Sequence, residues 1–263
     1  MDDEKELYKL LIEYVGSSTV YLELNQKLRE SNKKLFEKLL IPYMELANLN
    51  RKLGFNEHTT VYRGIQFRSE PYEKWWYDFK ELDDFRLRFP YIKDILKIKR
   101  AFITEGKKMQ IDQLLATTLD MKIALQRANA EYFRSKQNPV ISKKMLRFVF
   151  EIPILKKFNQ INTYKLHTYF KKKYDIDTLN IPKETIELFL IVMDKRNPSY
   201  ESEIVIVPDI STKAHIQMVD SGFPTRFNDI QKQINHDYKL VPPVENQDDI
   251  VTKDTFFIKM NIQ

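Results

Sequence analysis

The chain has no cysteine, which removes disulfides and thiolate metal ligands and fits a reducing compartment. Glycine is nearly as scarce, with five in 263 residues, at positions 16, 54, 64, 106 and 222. No two of them are close enough to build a glycine-rich phosphate cradle, so a dinucleotide fingerprint of the doubly wound type and a P-loop are both excluded. The four histidines, His58, His167, His215 and His236, form no HExxH helix, and a serine-nucleophile elbow of the form GxSxG is absent. No apolar run approaches the ~18–20 residues that a membrane-spanning helix needs. The start, MDDEKELYKLLIEYV, lacks the basic end and continuous apolar stretch of a signal peptide. The expectation is a soluble, cytoplasmic chain without membrane insertion, which leaves the cell, if it does, by a route this N-terminus does not show.

What is present is the composition of a folded protein: 43% hydrophobic and 13% aromatic residues, enough for one large domain or two small ones. The net charge is +6, a moderate basic balance that attracts anionic partners. Lysines cluster at Lys107-Lys108, Lys143-Lys144, Lys156-Lys157 and Lys171-Lys172-Lys173, and the segment YFKKKYD (169–175) interleaves them with aromatics. Nucleic-acid surfaces use that combination. No nucleic-acid-binding motif accompanies it, so a solvated basic face is the favoured reading and nucleic acid is not an expected partner.

Leu7, Leu10, Leu11 and Tyr14 recur at helical spacing, and a second helical stretch runs from 28 to 53, interrupted or kinked near Pro42 and capped by Gly54. TTVYRGIQF (59–67) reads as the first strand. Residues 71–103, with the doublet Trp75-Trp76, are helical in pattern, and the two tryptophans are assigned to core packing. MQIDQLLATTLD (109–120) reads as an extended segment leading into the helix MKIALQRANAEYFRS. A strand is expected at 145–153, a helix or strand at ETIELFLIVMD (184–194), and a strand at TFFIKMNI (255–262). Residues 154–182 are basic, aromatic and fit neither period. Helices first, then strands separated by helices and insertions, indicate an α+β fold.

The chemistry left open is that of arginine, hydroxyl and carboxylate side chains. Glu201 and Glu203 stand at the mouth of the apolar run Ile204-Val205-Ile206-Val207. In an extended chain positions i and i+2 project from one side, so the two carboxylates share a face and need cations or donors to offset their repulsion. Arg63, in VYRG (61–64), can fork two parallel hydrogen bonds to a phosphate. Thr117 and Thr118 precede a helix, where they also read as caps.

VYRG (61–64), LLATTLDMKIAL (114–125) and YESEIVIVP (200–208) resemble, in order and form, the arginine, Ser-Thr-Ser and Glu-x-Glu motifs of the arginine-specific mono-ADP-ribosyltransferases, the R-S-E class found in toxins, effectors and phages. The resemblance covers about residues 58–210. It implies split, strongly bent β-sheets around an NAD cleft, with an N-terminal helical lobe over 1–56 and a catalytic core over 57–263 that carries an insertion at about 154–195. It implies NAD as co-substrate, no metal, and a host target protein bearing an acceptor arginine.

By the same resemblance Arg63 holds the phosphate and ribose side of NAD, Thr117 and Thr118 brace the cleft, and Gly64 lets the strand backbone lie near the ligand. Glu203 is the catalytic glutamate, stabilising the oxocarbenium-like ribose. Glu201 positions the acceptor guanidinium, and Tyr200 is a contact to the target protein. Two positions depart from the pattern. Ala116 stands where the hydroxyl motif has its first serine, and Arg127 where an aromatic ring often faces nicotinamide; Tyr132 or Phe133 are the aromatics nearest to it in sequence. The alternatives are an NAD glycohydrolase, which needs Glu203 more than Glu201, and an NAD-cleft binding module without turnover.

Overall fold

A computed structural model of the chain describes residues 3–68, 105–128, 145–194, 203–221 and 255–263. Three helices open it: α1 (Asp3–Gly16), α2 (Ser18–Glu30) and α3 (Lys33–Lys52). Asp3, Glu4 and Glu6 load the first turn of α1 with negative charge, where the helix dipole favours it. Side-chain caps start the next two, Ser17 accepting from the Val20 amide at 3.3 Å and Asn32 from the Leu35 amide at 3.0 Å.

Of the two expectations at Pro42, an interruption or a kink, the interruption does not occur: α3 runs continuously through it. Leu40, Tyr43, Leu46 and Ala47 are buried on either side of the proline, and that packing offsets the lost backbone hydrogen bond. The cap at Gly54 is as the sequence suggests. Gly54 adopts φ 71°, the Phe55 amide reaches the Asn50 carbonyl at 2.9 Å, and the Gly54 amide reaches that of Arg51 at 3.0 Å, a Schellman termination.

The remaining elements are β1 (Thr59–Arg68), β2 (Lys108–Gln110), β3 (Leu115–Thr118), α4 (Met121–Ala128), β4 (Met145–Ile154), β5 (Gln160–Asn162), α5 (Thr163–Phe170), α6 (Lys183–Met193), β6 (Glu203–Ile206), β7 (Lys213–Ser221) and β8 (Thr255–Ile262). The fold is α+β, with helices leading and a mixed set of strands following. The helical reading of 71–103, with Trp75 and Trp76, and the residues Tyr132 and Phe133 lie outside the described residues.

The chain forms two compact units. The first comprises Met1–Thr59, Gln110–Leu119 and Ile154–Thr212. Its strands run in the order β3-β6-β5, antiparallel throughout. Tyr8, Leu11 and Ile12 of α1 join Phe36, Leu40 and Leu46 of α3, Leu166 and Phe170 of α5, Phe189 of α6, and Val205 of β6 in one hydrophobic core. Gly16 allows the closest helix contact: a Cβ there would sit 2.3 Å from the Thr185 carbonyl oxygen and 3.0 Å from the Phe189 Cβ.

The segment that fitted neither period, 154–182, proves to be the short strand β5 passing directly into α5. Three strand residues are too few to show alternation. The ambiguous run at 184–194 is helical, with Phe189 and Met193 buried four residues apart on one face of α6.

The second unit comprises Thr60–Met109, Asp120–Pro153 and Lys213–Gln263. Its strands run β2-β7-β8-β4-β1, with β4 parallel to β8 and β7 antiparallel to β8. β7 has no counterpart in the sequence reading. An irregularity between Ile216 and Met218 shifts its register, and such a bulge breaks the alternation by which a strand is read. Met121, Ala124, Leu125 and Ala128 of α4 pack with Val149 and Phe257.

Candidate functional site

The two strands that carry the hydroxyls and the glutamate are hydrogen-bonded neighbours in the first unit. β3 pairs with β6 in a register that sets Thr118 opposite Glu203, Thr117 opposite Ile204 and Ala116 opposite Val205. Directly paired residues of an antiparallel ladder project to the same side. Thr118 and Glu203 therefore share a face as immediate neighbours, and Ala116 lies on that face two residues along, against Val205. Thr118 is buried and Glu203 half-buried.

Thr117 points the other way, and its hydroxyl donates to the Ile204 carbonyl at 2.6 Å. This ties the two strands together at the residue following the glutamate. The Glu203 carbonyl receives a hydroxyl of its own, that of the fully buried Thr163, at 3.1 Å. Thr117 of β3 and Thr163 of α5 thus donate to carbonyls at consecutive positions of β6, those of Ile204 and Glu203. The backbone that carries Glu203 is thus held from both flanks, while its side chain stays on the face shared with Thr118.

Thr163 is the first residue of α5, and what sets that helix start is a buried polar network. The Asn162 side chain caps α5 by accepting from the Lys165 amide at 3.0 Å. The Asn162 amide donates to the Asn50 side chain at 3.0 Å, and Asn50 donates to Asn56 at 2.8 Å. Asn56 in turn holds the Lys156 and Phe158 carbonyls at 2.6 and 3.0 Å. The Glu57 carboxylate accepts from Lys165 at 2.7 Å and Asn162 at 3.2 Å. α3, the chain leading to β1, and β5 converge in this way on the position of Thr163. The sequence reading left Thr163 and Asn162 unassigned; an asparagine followed by a threonine ahead of a helical run was the available capping signal.

Arg63 and Gly64 belong to the second unit. Arg63 sits on β1 and is 7% exposed, burial that a guanidinium tolerates only with partners. At Gly64 an added Cβ would meet the Ala124 carbonyl oxygen at 1.7 Å and the Ala128 amide nitrogen at 2.8 Å. The close approach at this glycine is therefore made by the backbone of α4. Arg127 lies exposed in the last turn of α4. Glu201 and Tyr200 lie outside the described residues.

One histidine is electrostatically distinctive. His167 is buried, its Nδ1 lies 3.0 Å from the Tyr8 hydroxyl, and its pKa is lowered to about 4 by desolvation first and by Lys171 second. It is a neutral core residue near pH 7. The Tyr8 hydroxyl is pushed up to about 12 by burial. Among the described residues no group of three or more His, Asp or Glu side chains is placed to hold a metal ion, and no helix is long and apolar enough to cross a membrane.

No protein-family model matches the chain, and no curated protein sequence does. Solved structures do. The ADP-ribosyltransferase Vis, determined in complex with agmatine, is 12% identical with a TM-score of 0.40, covering the whole of this chain and 75% of its own. The Salmonella SpvB ATR domain is 12% identical with a TM-score of 0.42, covering 98% of each chain. The ADP-ribosyltransferase C3larvin toxin from Paenibacillus larvae is 13% identical with a TM-score of 0.40, covering 100% of this chain and 88% of its own. Vis and C3larvin are named as ADP-ribosyltransferases. At such identities the functional reading rests on the chain's own residues.

Proposed function

We propose that this chain transfers ADP-ribose from NAD to an arginine side chain of a host target protein, releasing nicotinamide. The observation that carries the reading is the register of β3 on β6, which makes Thr118 the direct neighbour of Glu203 and locks the glutamate strand through Thr117.

In this reaction the bond between ribose C1′ and the pyridinium nitrogen breaks, and its electron pair leaves with neutral nicotinamide. The sugar becomes oxocarbenium-like, as in glycoside cleavage. A carboxylate on a fixed backbone suits that transition state because it meets developing positive charge without reorganising. Glu203 takes this role and holds the ribose 2′-hydroxyl. Glu201, two residues earlier, grips the acceptor guanidinium and orients one nitrogen toward C1′, a positioning function. That nitrogen forms the new bond and gives up a proton. Arg63 binds the phosphates of NAD as a planar, permanently charged fork. Tyr200 contacts the target.

The test is mass spectrometry after incubation with NAD and a host lysate, with agmatine as a small guanidinium acceptor in parallel. ADP-ribosylated arginine is the expected product. Glu203→Ala is expected to lower nicotinamide release by about 100-fold or more. Glu201→Gln is expected to remove arginine transfer and retain some hydrolysis. Free ADP-ribose with no modified acceptor would show a glycohydrolase instead, and NAD binding without nicotinamide release would show a binding module.

A further inference from the structure

The lysine triplet is not spread over an open surface. Lys171, Lys172 and Lys173 follow α5 and line one hollow of about 420 Å³ together with Tyr8, His167, Tyr174, Asp175, Ile176 and Leu190. That volume falls in the range of small-molecule sites. All of its lining belongs to the first unit. The strand pair carrying Glu203 lies toward the other end of α5, an eight-residue helix of roughly 12 Å length.

The ordinary use of lysines at a helix end is to complete its last carbonyls. Here the backbone does that. The Lys171 amide donates to the His167 carbonyl, that of Lys172 to Tyr169, and those of Lys173 and Tyr174 to Phe170. The three ammonium groups are not needed for capping.

Neighbouring acids account for one of them. Lys173 pairs with Glu4 at 2.8 Å and with the Tyr169 hydroxyl, contacts that raise its pKa. The Asp175 carboxylate, which also lines the hollow, accepts the Asp177 amide at 3.1 Å within its own turn and offsets part of the charge of the other two. Lys171 and Lys172 are exposed, and among the described residues neither makes an ion pair. His167 adds no charge at neutral pH, because burial keeps it unprotonated. The hollow therefore presents two exposed cations, against the single carboxylate of Asp175, beside a phenol ring, Tyr174, and two aliphatic side chains, Ile176 and Leu190.

We infer that this hollow is a binding site for a phosphorylated small molecule, its phosphate held by Lys171 and Lys172 and its ring or carbon skeleton lying against Tyr174, Ile176 and Leu190. Two ammonium groups converging on one anion give charge-assisted hydrogen bonds, and the apolar wall supplies contact that a bare phosphate would not use. The inference is independent of the transfer reaction proposed above.

The test is titration calorimetry of the full chain with inositol 1,4,5-trisphosphate, inorganic phosphate and NAD as soluble probes. Co-sedimentation with phosphatidylcholine vesicles containing phosphatidylinositol 4,5-bisphosphate separates a lipid headgroup from a free solute. Saturable binding of the inositol phosphate is expected, tighter than that of inorganic phosphate. A Lys171→Gln, Lys172→Gln double variant is expected to weaken it at least tenfold. Lys33→Gln with Lys34→Gln, which removes the same charge from the exposed start of α3, is expected to change it less than twofold. Basal nicotinamide release is expected to be unchanged in both. Absence of saturable binding of both the inositol phosphate and inorganic phosphate, or an equal loss in the two double variants, would overturn the site.

Discussion

Thr163 is fully buried and gives its hydroxyl to the carbonyl of Glu203, so replacing it tests whether a glutamate's backbone anchor matters for turnover. Thr163→Val keeps the shape and removes the donor. Displacement of a catalytic carboxylate by a fraction of an ångström costs rate more than substrate affinity, and we expect kcat for nicotinamide release to fall about tenfold with KM for NAD nearly constant. Thr163→Ser restores the donor and is expected to recover most of the rate; a serine variant as slow as the valine variant would contradict the anchoring role. His167 supplies the pH dependence at this scale. Its pKa is about 4 in the fold against about 6.5 in an unfolded chain. Between those values the unfolded state binds more protons, so stability falls as pH drops from about 6.5 to 4 and is unaffected by this group above that window, by at most about 3 kcal/mol. Urea midpoints compared at pH 7 and pH 5 measure the slope, which is expected to flatten in His167→Gln.

At the scale of elements, two glycines make opposite demands. Gly54 ends α3 with φ 71° and open space around it, so Gly54→Ala is expected to cost about 1 kcal/mol, the conformational penalty alone. Gly64 occupies a strand over which α4 lies with its backbone in contact. Gly64→Ala is expected to cost more, about 1–3 kcal/mol, because α4 has to move away from β1 to admit a methyl group. Thermal unfolding of the two variants side by side checks the ranking. The strands show why some elements could be read in advance and others not. β6 declares itself through its apolar run. β7 hides behind its bulge, and β5 is too short to display a period.

For the molecule as a whole, the helices at the start of the chain share a core with the strand that carries Glu203. Residues 1–59 belong to the same compact unit as 110–119 and 154–212, and Val205 and Ile161 pack with Tyr8, Leu11 and Leu46. Deleting residues 1–56 would expose that core, and we expect the truncated chain to be insoluble or to lack a cooperative unfolding transition. A soluble, folded truncation that released nicotinamide would show that the helices are dispensable. The net charge of +6 adds weak, salt-sensitive attraction to polyanions. Transferred label is expected to remain on protein after nuclease treatment of the lysate.

The sequence by itself determined the elements and the chemistry on offer. Periodicity gave the N-terminal helices and most strands, the scarcity of glycine and the absence of cysteine closed off whole classes of site, and the residue types left arginine, hydroxyl and carboxylate chemistry in three ordered motifs. Only the tertiary structure decided which of these become neighbours. The register that sets Thr118 beside Glu203, the hydroxyl of Thr163 on the glutamate's carbonyl, and the pairing of Lys173 with Glu4 beside the hollow depend on contacts between positions 40 to 169 residues apart. Local preference acts within a turn or a strand. Contacts over such separations are selected by burial and by the pairing of polar groups once the chain has closed on itself.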